Sequence, residues 1–300
     1  MDKPASTIIY VPGIRPKPPA DIHRANLWRC LLEGVRRVDD TTAGSLARHE
    51  DRFRLVPWPH VFYSHARDPA PDEPGLERLL ALPGPEPEDI SEAEHWHKRF
   101  AQLVYLLADR FPFLIDHVAT PDLKETLQDS LRYLRNEQRI ADRVRDMVRD
   151  AVTKAWEDGQ RILLIGHSFG SVIAFDVLWQ LSREQRATFR LDTFLTLGSP
   201  LGMKFVRHRL LGARAHGLER YPDNIRRWVN LAAIGDLTAL ERRFARDYRP
   251  MLRHGLVECI TDNLQLKNYF RGPNGLNVHK CYGYMINPET ASVVARWWRS

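Results

Sequence analysis

The chain has few cysteines and no long apolar run, and both features narrow the class of protein it can be. Its three cysteines, Cys30, Cys259 and Cys281, are odd in number, lack Cys-X-X-Cys spacing and lie among apolar neighbours. We expect buried free thiols rather than disulfides or metal ligands, which favours a reducing compartment. No stretch approaches the roughly 20 apolar residues of a membrane-spanning helix, and the apolar run near the N-terminus is too short for a signal peptide. A cytoplasmic protein without a transmembrane segment is expected.

Clustered positive charge is also lacking. Basic residues outnumber acidic residues by only 44 to 38 in 300 residues, and the arginines are spread among aspartates and glutamates. A nucleic-acid-binding face needs clustered charge, so no nucleic-acid partner is expected. The hydrophobic fraction of 43% is ample for a packed core. A length of this order suits one α/β unit, so residues 1–300 are predicted to form a single domain.

Short runs rich in β-branched residues predict the strands of a sheet, at 7–11, 53–56, 161–165, 193–197, 228–233 and 256–261. Several runs are apolar almost throughout, as expected when both faces of a parallel sheet are covered. Helical periodicity is present at 20–38, 168–181 and 288–298. This alternation predicts an α/β fold with a mostly parallel central sheet and helices on both faces.

The alternation stops at about 57–120, where a mainly helical insertion is predicted. The prolines of 57–87 predict neither a helix nor a central strand there, because proline lacks an amide donor and has a fixed φ. Helical segments are predicted at 91–111 and 122–156, the last leading into the 161–165 strand. One interpretation is a cap whose aromatic residues, including Trp96 and Phe113, line an acyl pocket. The alternative is that these aromatic residues are only the core beneath the insertion.

The five residues Gly166-His167-Ser168-Phe169-Gly170 join a predicted strand to a predicted helix. So sharp a turn needs residues without side chains on both sides of its centre, and the two glycines supply them. Ser168 is thereby pushed out at the C-terminal edge of the sheet, near the positive end of the helix. The pattern predicts a nucleophilic serine. A plain turn with a capping serine is the structural alternative.

A serine hydroxyl needs a base to take its proton, and the base needs a carboxylate to orient it. In this class of site the chain order is serine, acid, histidine, and the partners follow the C-terminal ends of strands. Asp236, just after the 228–233 strand, is the predicted acid, with Asp262 as the alternative. His279 is the predicted base. The other histidines after Ser168 precede the acid or the last strand: His208, His216 and His254.

Two backbone N–H groups are expected to bind the oxyanion of the tetrahedral intermediate. One belongs to Phe169, the residue after the nucleophile. The other should come from Gly13 or Ile14 in the loop after the first strand, because the preceding residue is a proline without an N–H. His167, next to the serine, is expected to line the substrate-binding site.

Four segments resemble, in order and spacing, the lipase/esterase-like α/β hydrolases, particularly bacterial serine esterases. They are GHSFGSVIAFDVL at 166–178, LTLGSPLGM at 195–203, WVNL at 228–231 leading to Asp236, and NVH at 277–279 followed by YGY at 282–284. The resemblance covers residues 5–16 and most of 120–298. It implies an α/β-hydrolase fold, activity on carboxylic esters, and a catalytic triad of Ser168, Asp236 and His279.

The expected activity is hydrolysis of a small-molecule or lipid ester through an acyl-enzyme. This chemistry requires neither a metal nor an organic cofactor, and His95 and His97, two positions apart, cannot share a helix face as metal ligands. Acyl transfer, or thioester or amide cleavage, at the same site is one alternative. A catalytically inactive binding protein of the same fold is another. The sequence carries no signal for the oligomeric state.

Overall fold

The computed structural model describes residues 5–95, 121–236 and 243–300. The strands are β1 (Ser6–Val11), β2 (Phe53–Leu55), β3 (Arg161–His167), β4 (Leu191–Leu197), β5 (Ile225–Ala233), β6 (Cys259–Leu266), β7 (Arg271–Gly272) and β8 (Gly275–Leu276). The α-helices are α1 (Ala20–Val38), α2 (Asp40–Ala47), α3 (Pro59–Phe62), α4 (Glu73–Ala81), α5 (Pro87–Glu94), α6 (Pro121–Leu134), α7 (Ile140–Glu157), α8 (Gly170–Trp179), α9 (Lys204–Arg207), α10 (Phe244–Asp247), α11 (Arg249–Arg253), α12 (Cys281–Met285) and α13 (Pro288–Arg299). Within these ranges, no helix is both long and apolar enough to cross a bilayer.

Strands β1 to β6 form one sheet in the order β2-β1-β3-β4-β5-β6, and every pairing is parallel. The predicted α/β class with a parallel central sheet is therefore confirmed. All six C-terminal ends lie at the same edge. The strand order reverses at β1, because β2 lies on one side of β1 and β3, the next strand along the chain, lies on the other side. Ligands of open α/β sheets bind in the crevice at such a switch point.

Side chains alternate between the two faces of the sheet along each strand. Apolar side chains are buried on both faces. On one face, Ile9 and Leu164 belong to an apolar cluster with α7 and α8. On the other, Tyr10 and Leu163 belong to a cluster with α1, α4, α12 and α13. Helices on both sides explain why these strands are apolar almost throughout. The short strands β7 and β8 form a separate antiparallel hairpin.

The prediction that prolines exclude helices from residues 57–87 is wrong. Helices α3, α4 and α5 all begin in or next to this stretch, each with a proline in its first turn. A proline is tolerated there because the N–H of the first turn has no helical acceptor and the fixed φ suits a helix. Residues 91–94 of the helix predicted over 91–111 belong to α5. The rest of that prediction lies outside the described residues.

Two further boundaries differ from the prediction. The helical segment expected over 122–156 is two helices, because Asn136, Gln138 and Arg139 have φ values of +52°, +51° and +59°. The Asn136 side chain then accepts the N–H of Ala141 at the start of α7, at 3.0 Å. The strand expected over 256–261 begins only at Cys259, since residues 256 and 257 fold back onto the end of α11.

Candidate active site

Ser168 occupies the turn between β3 and α8 and has a φ of +52°, in the left-handed region. A Cβ added to Gly166 would lie 2.5 Å from the Cα of Ser171, and one added to Gly170 would lie 2.2 Å from the carbonyl oxygen of Val11. Both positions therefore require glycine, because any side chain would collide with backbone. A non-glycine residue held in this region of φ is strained, and such strain clusters at functional sites.

Ser168, His279 and Asp236 form one chain of hydrogen bonds, although 111 and 43 residues of sequence separate the consecutive partners. The Nε2 atom of His279 lies 2.9 Å from the Oγ of Ser168. Its Nδ1 atom lies 2.8 Å from the Oδ2 of Asp236. A carboxylate can only accept, so Nδ1 carries the proton in the neutral ring and Nε2 is free to accept from the serine. This is the arrangement in which imidazole can act as a general base.

The Asp236 carboxylate is fully buried and is held by Tyr284, the last residue of the YGY segment. The Tyr284 hydroxyl donates to Oδ2 of Asp236 at 2.6 Å and accepts the N–H of Ala233 at 2.8 Å. It thereby joins the end of β5 to the carboxylate. Burial, and then the charge of Asp236, raise the pKa of Tyr284 well above its ordinary value, so this hydroxyl remains a donor. Its place five residues after His279, in the next helix, is the signal that could have identified it.

The alternative acid, Asp262, has other partners. Its Oδ1 accepts from the side-chain amide of Asn230 and from the N–H of Phe244, both at 2.9 Å. Its Oδ2 accepts the N–H of Ala245, also at 2.9 Å. These bonds cap the start of α10, and the carboxylate that contacts the imidazole is that of Asp236. The structure thus favours the first of the two predicted acids.

The loop after β1 approaches the serine closely. A Cβ added to Gly13 would lie 2.7 Å from the Cβ of Ser168, so this position also requires glycine. The N–H groups of Phe169, Gly13 and Ile14 make no hydrogen bond to any residue that the structure describes. Three unengaged backbone donors therefore lie on the turn and the loop at the serine, as an oxyanion site needs.

Lys17 holds this loop from one side. Its Nζ donates to the carbonyl oxygens of Ile14 and Arg15, at 2.7 Å and 3.0 Å. The N–H of Arg15, which has a φ of +84°, donates to the hydroxyl of Tyr63 at 2.9 Å. The peptide between Ile14 and Arg15 is therefore fixed at both its carbonyl and its N–H. This limits the positions open to the preceding peptide, which carries the N–H of Ile14.

His167 is 5% exposed and lies beside the imidazole of His279, with ring centroids 4.9 Å apart. Its Nε2 is 3.0 Å from the backbone carbonyl of His279, so Nε2 carries the proton and supports the loop of the base. Its Nδ1 is a buried acceptor with no partner among the described residues. Burial lowers the pKa of His167 well below its ordinary value, and the charges of His279 and Lys17 add to this effect. The contact of His167 with a substrate stays a prediction.

Two residues expected to line an acyl pocket, Trp96 and Phe113, lie outside the described residues. In the part of the chain that is described, no group of three or more histidine, cysteine, aspartate and glutamate side chains is arranged to hold a metal ion. Comparison with protein-family models, with curated proteins and with solved structures finds no match to this chain.

Proposed function

We propose that the protein is a serine hydrolase of the α/β-hydrolase type that cleaves carboxylic esters of small molecules or lipids. The observation that carries this proposal is the hydrogen-bonded chain from Ser168 through His279 to Asp236, at 2.9 Å and 2.8 Å. A serine becomes a nucleophile only when a base lies within hydrogen-bond reach. The position of this chain at the C-terminal edge of a parallel sheet, beside the switch point, supports the proposal further.

In the proposed reaction, the Oγ of Ser168 attacks the acyl carbon while the Nε2 of His279 takes its proton. Asp236 orients the ring and stabilises the imidazolium. The N–H groups of Phe169 and of Gly13 or Ile14 donate to the oxyanion. The C–O bond to the alcohol then breaks, and the alcohol leaves with the proton from Nε2. Water, activated by the same imidazole, attacks the acyl-enzyme and releases the acid.

Replacement of Ser168 by alanine tests this proposal. The Ser168→Ala protein is expected to remain folded, while kcat for para-nitrophenyl esters from acetate to palmitate falls about 10⁴-fold or more. Labelling by a fluorophosphonate should disappear as well. Ser182→Ala is the matched control, since Ser182 is also buried and its hydroxyl donates to the Trp179 carbonyl. Persistent labelling of Ser168→Ala, or a folded wild-type protein that neither reacts nor turns over any ester, would refute the proposal.

A further inference from the structure

Three cations, Lys17, Arg67 and Lys280, lie next to the proposed site, and one carboxylate pairs with two of them. Arg67 and Lys280 both form ion pairs with Oδ2 of Asp72, the lysine at 2.6 Å, and the Asp72 side chain is 6% exposed. Among the described residues, the Lys17 ammonium donates to the backbone carbonyl oxygens of Ile14 and Arg15. In the described ranges, no other acidic side chain forms an ion pair with any of the three. The group therefore carries an excess of positive charge.

The three cations lie close to one another. The N–H of Arg67 donates to the backbone carbonyl of Lys17 at 2.9 Å, so their chain segments are in contact. Burial lowers the pKa of Lys17 to about 7, and the positive charges of Lys280 and Arg67 act in the same direction. Partly buried positive charge without enough counter-charge is unfavourable, and a bound anion would offset it.

A buried imidazole in the same cluster has an unused ring nitrogen. His23 is 1% exposed, and its Nδ1 lies 3.1 Å from the Tyr282 hydroxyl. Its Nε2 is buried and has no hydrogen-bond partner in the described part of the molecule. After burial, Lys17, Lys280 and Arg67 lower the pKa of this imidazole. Cations and an unsatisfied polar atom thus occur together, as in a ligand site that is not filled.

The cluster adjoins both loops of the proposed active site. Lys17 holds the carbonyls of the two residues that follow Gly13. Lys280 is the residue after His279. The cluster therefore adjoins both the loop that carries Gly13 and the loop that carries His279.

We infer that Lys17, Arg67 and Lys280 form an anion-binding subsite, and that the preferred ester carries a carboxylate or phosphate on its acyl part or on its alcohol part. This inference rests on the proposed function, because it names the substrate class of the same site. Ammonium and guanidinium groups are the side chains that bind such anions, and their hydrogen bonds to anions are short and strong. Partial burial strengthens the attraction, because less water screens it.

Paired esters that differ in one anionic group test the subsite. The mono-para-nitrophenyl ester of adipate and para-nitrophenyl hexanoate share an acyl chain length, but only the first ends in a carboxylate. Para-carboxyphenyl acetate and its methyl ester place the charge on the alcohol side instead. For at least one pair, kcat/KM of the wild type should be about tenfold or more higher for the anionic ester than for the neutral ester. Arg67→Met and Lys280→Met should each reduce this ratio about tenfold.

Arg226→Met is the matched control. It also removes one positive charge, but Arg226 lies at the opposite edge of the sheet, at the start of β5, where it pairs with Glu258. The ratio of kcat/KM for the anionic ester to kcat/KM for the neutral ester should be the same in Arg226→Met as in the wild type. A wild-type ratio near one for both pairs, or an equal change in Arg226→Met and Arg67→Met, would overturn the subsite.

A binding measurement separates this inference from the proposed function. If neither turnover nor fluorophosphonate labelling is found, the proposed function fails, and calorimetric titration with monomethyl adipate decides the subsite alone. Ser168→Ala should bind this anion about tenfold more tightly than Ser168→Ala combined with Arg67→Met. Equal affinity of the two proteins, or no binding to either, would overturn the subsite whatever the outcome of the kinetic assays.

Discussion

Ser168, His279 and Asp236, which are hydrogen-bonded to one another, are each also held by another residue. The hydroxyl of Ser171 donates to the Ser168 carbonyl at 2.6 Å, His167 supports the His279 carbonyl, and Tyr284 holds Asp236. A reacting group that is held in position before the substrate arrives needs less ordering during the reaction. The supporting contacts are therefore as informative about the site as the three residues themselves.

Removal of the Tyr284 hydroxyl should lower kcat without a comparable change in KM. A hydrogen bond to a charged group contributes about 1.5 to 3 kcal/mol, so Tyr284→Phe is expected to reduce kcat about tenfold or more. The free energy of unfolding should also fall by about 1 to 3 kcal/mol, because the buried N–H of Ala233 loses its acceptor. Tyr269→Phe is the control, because it removes a hydroxyl that donates to the Leu82 carbonyl and accepts from Arg37. Lower stability with an unchanged kcat would make Tyr284 a purely structural residue.

Loss of the Lys17 ammonium should slow the reaction of a neutral ester. Lys17→Met removes two charge-assisted hydrogen bonds to the loop that carries Gly13, so kcat for para-nitrophenyl hexanoate is expected to fall about tenfold. A neutral ester has no anion for this lysine to bind, so the loss would report the position of the loop. Lys17→Arg keeps donors at the end of the side chain and should recover part of kcat. Equal kcat values in the wild type and Lys17→Met would show that Lys17 does not position the loop that carries Gly13.

The three hydrogen-bonded residues of the site were among the candidates named from the sequence, whereas the contacts that support them could not be predicted. Chain order and strand ends were enough to select Ser168 and His279 and to limit the acid to Asp236 or Asp262, because parallel strands bring their C-terminal ends to one edge. The choice between Asp236 and Asp262 needed coordinates, since the partners of Asp262 lie in a short helix without a clear sequence signal. The contact of Tyr284 with Asp236 depends on how α12 packs against β5, which no local pattern specifies. The catalytic roles themselves stay proposals.

At the scale of the helices, a buried polar group lies behind the turn that carries Ser168. Asp176 on α8 is 2% exposed, accepts from the Tyr133 hydroxyl of α6 at 3.1 Å and from the N–H of Leu211 at 3.0 Å, and lies 3.9 Å from Arg145 of α7. The Tyr133 ring in turn meets the ring of Phe169 edge-on, with centroids 5.2 Å apart. Three helices are therefore joined directly behind the turn that presents the serine.

This carboxyl should make the free energy of unfolding depend on pH. Burial raises the pKa of Asp176 from 3.8 to about 6, although Leu211, Arg145 and Tyr133 act in the opposite direction. Between these values the folded protein binds more protons than the unfolded chain, so stability falls as pH rises from about 4 to 6. The loss attributable to this group is about 3 kcal/mol.

Replacement of the carboxyl by an amide should abolish that contribution. In urea unfolding at a series of pH values, the stability of Asp176→Asn relative to the wild type is expected to rise by up to about 3 kcal/mol between pH 4 and 7. Other titrating groups are common to both proteins and cancel in the difference. Parallel stability curves for the two proteins would show that Asp176 has the same pKa folded and unfolded.

Element boundaries show where sequence patterns fail. Helix α1 has the predicted bounds, 20–38, because its apolar periodicity is uninterrupted and Asp39 then leaves helical geometry. The break between α6 and α7 was missed because Asn136, Gln138 and Arg139 adopt left-handed conformations without a glycine or proline to mark them. Helices α3 and α4, and the first turn of α5, were missed because proline was treated as a breaker wherever it occurs. Local patterns thus describe the interiors of elements better than their ends.

At the scale of the whole molecule, the site exists only when the sheet is complete. Gly13 and Ser168 meet because β1 and β3 are neighbours, Asp236 follows β5, and His279 follows β6 through the β7–β8 hairpin. The two apolar clusters lie on opposite faces of that sheet. The sequence predicted a parallel sheet but not this strand order, because apolar runs do not specify which strands become neighbours.

The rates at which the three thiols react should show whether the whole sheet is folded. All three are free; Cys30 and Cys281 are buried, as expected, but Cys259 is exposed, because it begins the edge strand β6. Burial raises the pKa of Cys30, so both access and ionisation oppose its reaction.

Native protein treated with an aromatic disulfide reagent should therefore release one equivalent of thiolate quickly and the other two only as the sheet unfolds. The slow phase should accelerate with urea in step with the loss of ester turnover, since α1 and α12, which carry Cys30 and Cys281, pack on the same face of the sheet. Cys259→Ser should lack the fast phase and keep the slow one. Fast reaction of two or three thiols in the native protein would mean that α1 and α12 open independently of the sheet.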